Sequence, residues 1–328
     1  MVRVTLRKIA EHTGLSEFAV SRALAGKSGV SDKTRRRVIE AAAAIGYKRA
    51  PSASALKTIG MVFDDTEVIN SELNMQIQSG ARQQAQGLGL GVRVYWSHDD
   101  AELEKFAFEN DGLIIAGAHN AEGLARAYAT QTPIVRTGWL SPLEPVDAVS
   151  TTDRDAGIAT AQYLAKLGHR EIVFAHGAPL YRGRRERLQG LREVVETTDG
   201  MRLHNLTWDE NGSFREALMA LRAQGHNPTA YACSHDGLAI AVVSELMSLG
   251  YRIPEDASIV GYGDYSAAMQ IFPHLTTVKV PGVEMGEMAV RLLNWRINAE
   301  LPLSCPLRLA VPCRFIERAS TAPRPTGS

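Results

Sequence analysis

The sequence predicts a small all-α head joined to a larger α/β body. Three observations predict it. The first 46 residues carry helix starts and stops at short intervals. From Ile59 onward, strand-like apolar runs alternate with helical patterns. The charge is also divided: residues 1–49 hold 11 Lys/Arg against 4 Asp/Glu, and the remainder holds 25 against 32. A basic head on an acidic body points to a polyanion partner for the head alone, the alternative being a merely solvated basic helix face. At 328 residues with 45% hydrophobic side chains, the chain suits two or three packed units, not a disordered chain.

In the head, Thr5 is expected to cap a helix over 6–12, with Leu6, Ile9 and Ala10 at helical spacing. Gly14 stands where a tight turn needs positive φ. Ser16 is expected to cap a second helix reaching Ala25. Gly26 and Gly29 interrupt the chain. Ser31 and Asp32 open a third helix, apolar at Val38, Ala41, Ala42 and Ile45 and stopped by Gly46. The close turn Thr13-Gly14-Leu15-Ser16, with small Ala10 before it, selects a helix-turn-helix whose second helix can enter a major groove. This DNA-binding unit is expected over 1–46. A hinge rich in Ala and Ser follows at 47–58, then a core at 59–328.

In the core, strands are expected at 59–63, 91–96, 112–116, 134–137, 171–175, 230–233 and 258–262. Helices are expected between them, for example at 75–86, 156–167, 185–196, 214–223 and 238–249. The alternation argues for parallel sheets flanked by helices, with a break near 150. Open parallel sheets bind ligands beyond the C-terminal ends of their strands. The residues found there are Asp64 and Asp65, His119, Trp139, Asp153 and Asp155, all polar or aromatic. The tail after Ala319 is rich in Pro, Ser and Thr and is expected to fray.

Other chemistries find little support. Cys233, Cys305 and Cys313 are odd in number and lack CxxC spacing, so reduced thiols are expected. No His/Cys/carboxylate cluster has metal spacing, and neither metal nor cofactor is expected. Gly87-Leu88-Gly89-Leu90-Gly91 lies after a helix and before a strand, the wrong order for phosphate binding at a helix N-terminus. Ser234-His235-Asp236 are chain neighbours, which does not make a catalytic triad. His169 reads as a helix-end residue. With no secretory h-region and no membrane-length apolar run, a cytoplasmic location is expected.

The run Val4-Thr5-Leu6-Arg7-Lys8-Ile9-Ala10-Glu11-His12-Thr13-Gly14-Leu15-Ser16-Glu17-Phe18-Ala19-Val20-Ser21-Arg22-Ala23-Leu24 resembles the head of the LacI-type (lactose-repressor) family of transcriptional regulators. Gly29-Val30-Ser31, Thr34-Arg35 and Ala43-Ala44-Ile45-Gly46-Tyr47 continue the match. The resemblance implies that Glu17, Phe18 and Arg22 face bases: Arg22 to guanine, Glu17 to cytosine N4, Phe18 to a thymine methyl. The alternative makes Phe18 core and Arg22 solvated. Thr5 stands with the DNA-facing set, and Ser16, Ser21, Ser31, Thr34 and Arg35 are candidates for phosphate contacts. Ala53 and Leu56 match the family's hinge, in which a leucine wedges into the minor groove. Arg49-Ala50 departs from that hinge pattern, and the link from Leu56 to Ile59 is several residues shorter than usual.

The resemblance extends over nearly the whole chain, through blocks such as Leu167-Gly168-His169-Arg170 and Leu249-Gly250-Tyr251-Arg252-Ile253-Pro254. It implies two Rossmann-like subdomains similar to periplasmic sugar-binding proteins, one about 59–150 plus 279–308, the other about 151–278 plus the C-terminal segment. It also implies a ligand-clamping Arg187, a stacking aromatic at Trp208, and His235-Asp236 in place of an Asn-Asp pair. Together with Asp64, His119, Trp139, Asp155 and Asp264, these suit a mono- or disaccharide or sugar derivative. Gly263 stands where the family has an aspartate, so either Asp264 or Asp236 compensates or the pocket takes a bulkier ligand. The expected protein is a homodimeric repressor of a pseudo-palindromic operator. The competing reading is a sugar-binding protein or sugar-modifying enzyme with an inert head, which would not need Arg22.

Overall fold

The computed structural model describes residues 5–324 except 25–29, 46, 48–55, 65–70, 98, 100, 139, 178–180, 209–213 and 301–304; for Asp32, Ala43 and Trp208 it describes the backbone alone. Ala53 and Trp139 therefore lie outside the described residues.

The head is three helices, α1 (Leu6–Thr13), α2 (Glu17–Leu24) and α3 (Asp32–Ala44). Ile9, Val20 and Val38 are fully buried between them. Gly14 turns at φ 67° and its N–H returns to the Ala10 carbonyl, as the tight turn requires. The Ser16 hydroxyl accepts from the Ala19 N–H at 3.2 Å, and Ser31 accepts from the Thr34 N–H at 3.2 Å. Thr5 corrects the expectation. It holds the N-cap position in an extended conformation, but its side chain makes no capping hydrogen bond.

The body contains two six-stranded sheets. Its first part runs β1 (Thr58–Phe63), α4 (Ser71–Gly87), β2 (Gly91–Trp96), α5 (Glu102–Glu109), β3 (Gly112–Ala116), α6 (Ala121–Ala129), β4 (Ile134–Thr137) and β5 (Asp147–Thr151). The chain then crosses into α7 (Asp153–Lys166), β6 (Glu171–Gly177), α8 (Arg182–Glu196), β7 (Arg202–Trp208), α9 (Phe214–Ala223), β8 (Ala230–Cys233), α10 (Asp236–Ser248), β9 (Ser258–Gly263), α11 (Ala267–Gln270) and β10 (Thr276–Lys279). It returns through α12 (Gly282–Ile297) and β11 (Arg308–Val311), and crosses once more to β12 (Arg314–Ile316). The first sheet has the order β11-β5-β4-β3-β1-β2 and is parallel throughout. The second has the order β12-β10-β9-β8-β6-β7, with only β12 antiparallel.

Central strands are buried on both faces, which explains their continuous apolar runs: β3 is buried along its whole length. β5, β7, β10, β11 and β12 were not expected, because they are short or polar. Helix α7 begins at Asp153, so Asp153 and Asp155 lie in its first turn and do not precede it. His169 is not simply a helix end. Its ring is buried and bonded to Thr229 (2.8 Å), Ser258 (2.9 Å) and the Ala322 carbonyl (3.1 Å), which ties the C-terminal segment down. That segment is ordered through Arg324, where fraying was expected. Cys233, Cys305 and Cys313 are free thiols. No helix among the described residues is long and apolar enough to cross a membrane.

Each lobe has one helix pair in backbone contact through glycines. A Cβ on Gly80 would stand 1.9 Å from the Val283 carbonyl oxygen, and one on Gly286 would stand 2.0 Å from that of Ile77, which joins α4 to α12. A Cβ on Gly157 would stand 2.1 Å from the Arg187 carbonyl oxygen, and one on Gly190 would stand 2.1 Å from that of Arg154, which joins α7 to α8. The obstacle is backbone and cannot rotate away. Gly190→Ala should therefore lose about 1–3 kcal/mol to overpacking, more than the roughly 1 kcal/mol it gains in helix propensity. Gly87→Ala, with nothing within 4 Å of the new methyl, should not destabilise. Urea unfolding of both variants checks the pair; equal stabilities would show that α7 and α8 are not in backbone contact.

Candidate functional site

On the head, Glu17, Phe18, Ser21 and Arg22 share one face of α2, at i, i+1, i+4 and i+5. Phe18 is 70% exposed, so it is not core, and the Arg22 guanidinium lies 5.5 Å from its ring centre. Ser16, Glu17, Ser21 and Ser31 are exposed; Arg22, Thr34 and Arg35 are half-buried. A large exposed aromatic beside a cation, on a short helix held by a tight turn, is what groove reading needs. Leu56 is also exposed, just ahead of β1.

Between the two sheets lies a cavity of about 170 Å³. Residues at the C-terminal ends of strands supply much of its wall. Asp64, Gly117, Thr137, Gly138 and Thr151 come from the first lobe, and Ser234, His235, Tyr262 and Tyr265 from the second; Tyr181, Arg184 and Arg187 join them from the start of α8. Arg187 organises the second-lobe wall. Its guanidinium lies 3.7 Å from the centre of the Tyr262 ring, is ion-paired with Asp153, and donates from Nη2 to the Ser234 carbonyl at 3.0 Å. The Tyr262 hydroxyl donates to the same Asp153 oxygen at 2.8 Å. Burial pushes the Tyr262 hydroxyl well above its usual range, so it remains a donor. Three buried polar atoms of this wall have no hydrogen-bond partner within the described protein: Arg187 Nε, Thr137 Oγ1 and Ser234 Oγ.

The structure sorts the expected ligand residues. Asp64, Arg187 and His235 line the cavity. Asp155 does not: it is exposed on the outer side of the first turn of α7, and Asp153 takes the inner side. Asp236 is fully buried behind the wall, accepting from Thr277 Oγ1 at 2.6 Å and from the Tyr265 N–H at 2.8 Å. Asp264 turns away at φ 56° to pair with Arg318 at 2.5 Å and Lys279 at 3.6 Å. His119 bonds the Ala116 carbonyl at 3.2 Å and is not in the lining. The side chain of Trp208 is outside the described set. Neither Asp264 nor Asp236 lines the cavity beside Gly263. A Cβ there would meet the Tyr265 ring at 2.2 Å, so the glycine makes room for an aromatic wall. Sequence reasoning missed Thr137, Arg184, Ser234, Tyr262 and Tyr265. The strand-end rule could have found Thr137, Ser234 and Tyr262.

An exposed helix suited to groove reading, on a body whose two lobes flank a cavity with polar groups in a largely apolar wall, is the arrangement of a ligand-responsive DNA-binding regulator. The comparisons agree. A family model described as bacterial regulatory proteins, lacI family, matches residues 5–50, and one described as a periplasmic binding protein-like domain matches residues 161–321. The chain thus carries a LacI-family DNA-binding head and a periplasmic binding protein-like domain, and its relatives are LacI-family transcriptional repressors, not enzymes. It is similar to the transcriptional repressor PurR of Mannheimia succiniciproducens (26% identity, covering 89% of this chain and 92% of that one). It is also similar to the ribose operon repressor of Haemophilus influenzae (26%, covering 90% and 92%). Among solved structures, it is similar to the transcriptional regulator CelR in complex with cellobiose (25% identity, TM-score 0.68, covering 97% and 100%).

His235 sets a pH dependence. Its Nδ1 accepts from the Leu238 N–H at 3.0 Å, capping α10, which requires that nitrogen to be unprotonated. Burial, with Arg184 and Arg187 nearby, pushes its pKa down from 6.5 to about 4. Between those values the unfolded chain holds the extra proton, so stability is full above 6.5 and falls as pH drops toward 4. His235→Asn keeps a capping side chain and removes the titration. Its melting temperature should fall less than that of the parent between pH 7.5 and 5; parallel losses would remove His235 as the cause.

Proposed function

We propose that this regulator is a homodimeric repressor of a pseudo-palindromic operator, and that a small carbohydrate-like effector in the interlobe cavity sets its operator affinity. The carrying observation is the cavity wall: Arg187 Nε on one lobe, Thr137 Oγ1 on the other and Ser234 Oγ between strand and helix are buried without partners. Buried polar groups are normally satisfied. A ring bearing several hydroxyls can satisfy all three while its C–H face lies on Tyr262 or Tyr265. The cellobiose of the CelR complex and the name of the ribose operon repressor support the same ligand class. A ligand bound to both lobes favours the lobe arrangement that presents both sets of groups. It shifts operator binding by its differential affinity for the two arrangements. The dimer follows from the head: one α2 reads a few base pairs, and two-fold proteins read two-fold sites.

A thermal-shift screen over mono- and disaccharides and sugar phosphates should find a ligand that raises the melting temperature; no shift with any of them would remove the carbohydrate reading. With that ligand, Arg187→Ala should lose about tenfold or more in affinity, the cost of about 1.5–3 kcal/mol for charged hydrogen bonds. The same variant should bind operator normally and no longer respond to effector, in isothermal titration and operator-binding curves. A near-native response would place the effector elsewhere.

On the head, Arg22→Ala should cost about 1–3 kcal/mol on cognate DNA and little on random DNA, read by fluorescence anisotropy at fixed salt. Equal losses on both would reduce Arg22 to a phosphate contact.

A further inference from the structure

The second lobe carries another cluster at the opposite end of its sheet from the cavity. Glu171 opens β6, His204 lies near the start of β7, and His226 lies in the turn between α9 and β8. The Glu171 carboxylate is 3.8 Å from His204 Nε2 and 3.7 Å from His226 Nδ1, and one ligand atom from each residue lies within 4.8 Å of the others. These contacts are too long for hydrogen bonds. Both imidazole nitrogens are nevertheless buried and have no hydrogen-bond partner within the described protein. The two ring centres lie 4.4 Å apart, with the rings tilted by 52° to one another.

We propose that Glu171, His204 and His226 form a binding site for a divalent transition-metal ion of the zinc type. Two imidazoles and one carboxylate are a usual donor set for such an ion, with a fourth position left for water. Bonds of about 2.0–2.1 Å at tetrahedral angles put ligand atoms about 3.3 Å apart; the two imidazoles approach opposite oxygens of the carboxylate at 3.8 and 3.7 Å, and the three-residue set, spread within 4.8 Å, contracts toward that separation on binding an ion. The carboxylate is already aimed: Glu171 Oε2 accepts from the Asn227 N–H at 2.8 Å. Arg222 holds the Asn227 side chain at 3.1 Å, which fixes the turn that carries His226. Such outer contacts orient metal ligands. Arg202 competes for Glu171 only weakly, through a 3.3 Å contact from a side chain that is 63% exposed.

Among the described residues, strand β7 is the edge of its sheet and pairs only with β6. An ion here fastens that edge strand, its neighbour and the turn before β8 together. It lies away from the effector wall, so its loss is not expected to alter effector binding.

The test uses the full, tag-free chain stripped with chelator and titrated with zinc alone. The expected result is one zinc per chain by isothermal titration, a raised melting temperature, and the visible d–d bands of a tetrahedral site when cobalt replaces zinc. His204→Gln and His226→Gln should each lose more than the roughly 10–100-fold in affinity that outer-contact changes cost, and should lose the cobalt bands. Glu171→Gln keeps an acceptor for Asn227 and removes only the charge, so its own loss of affinity reads the site without disturbing the turn. Less than one zinc per chain in the parent, or parent-like affinity in all three variants, overturns the proposal. Effector response retained in variants that have lost zinc separates this site from the cavity.

Discussion

The second-lobe wall of the cavity depends on the contact between α7 and α8. Gly157 lies against the Arg187 carbonyl and Gly190 against that of Arg154, so the two helices meet backbone to backbone. Only at that separation do Asp153, in the first turn of α7, and Arg187, in the second turn of α8, form an ion pair beneath Tyr262. A buried guanidinium without its carboxylate is costly, and the pair is retained where geometry and further hydrogen bonds satisfy it. Here Tyr262 and the Ser234 carbonyl complete that set. The α4/α12 seam does the equivalent work in the other lobe, where α12 returns after the chain has built the second sheet.

The wall balances charge without spending all its donors. Arg187 is neutralised by Asp153, and His235 stays uncharged because burial and two arginines oppose its protonation. The buried atoms left without partners are two hydroxyls and one guanidinium N–H, beside the charged side chains of Asp64 and Arg184 that also line the cavity. Asp236 contributes from behind. It fits only because Gly261 leaves room, a Cβ there standing 2.2 Å from its Oδ1, and it fixes the loop that sends Tyr265 into the space above Gly263. Burial raises its pKa, and the Thr277 and Tyr265 hydrogen bonds oppose that rise.

The lobes are joined by three crossings, after β5, β10 and β11, with the cavity walled from both sides of them. A ligand that bonds Thr137 on one side and Arg187 on the other acts on the relative placement of the lobes. Under the proposed function, such a ligand would act on a head it does not touch through its differential affinity for two placements of the lobes.

Much was legible in the sequence because it depends on local periodicity. The three head helices follow from apolar spacing, Gly14, Ser16 and Ser31. The central strands follow from apolar runs buried on both faces, and four of them, β2, β3, β4 and β8, lie where the sequence places them. Polar β7 and the short strands after Leu275 carry no such period and were not legible. The site was legible only in outline. Several strand ends do line the cavity, but Asp153 and Asp155 are two residues apart on a helix, about 200° around its axis, and the exact start of α7 decides which faces the cavity. Gly263 reads as a missing carboxylate until the Tyr265 ring is seen filling its place. Glu171, His204 and His226 have no meaningful spacing along the chain. The sequence by itself determined the head, the alternating sheets and the presence of Arg187. Tertiary structure decided which polar atoms converge, because convergence depends on strand order and helix separation, and these are set by contacts distant in sequence.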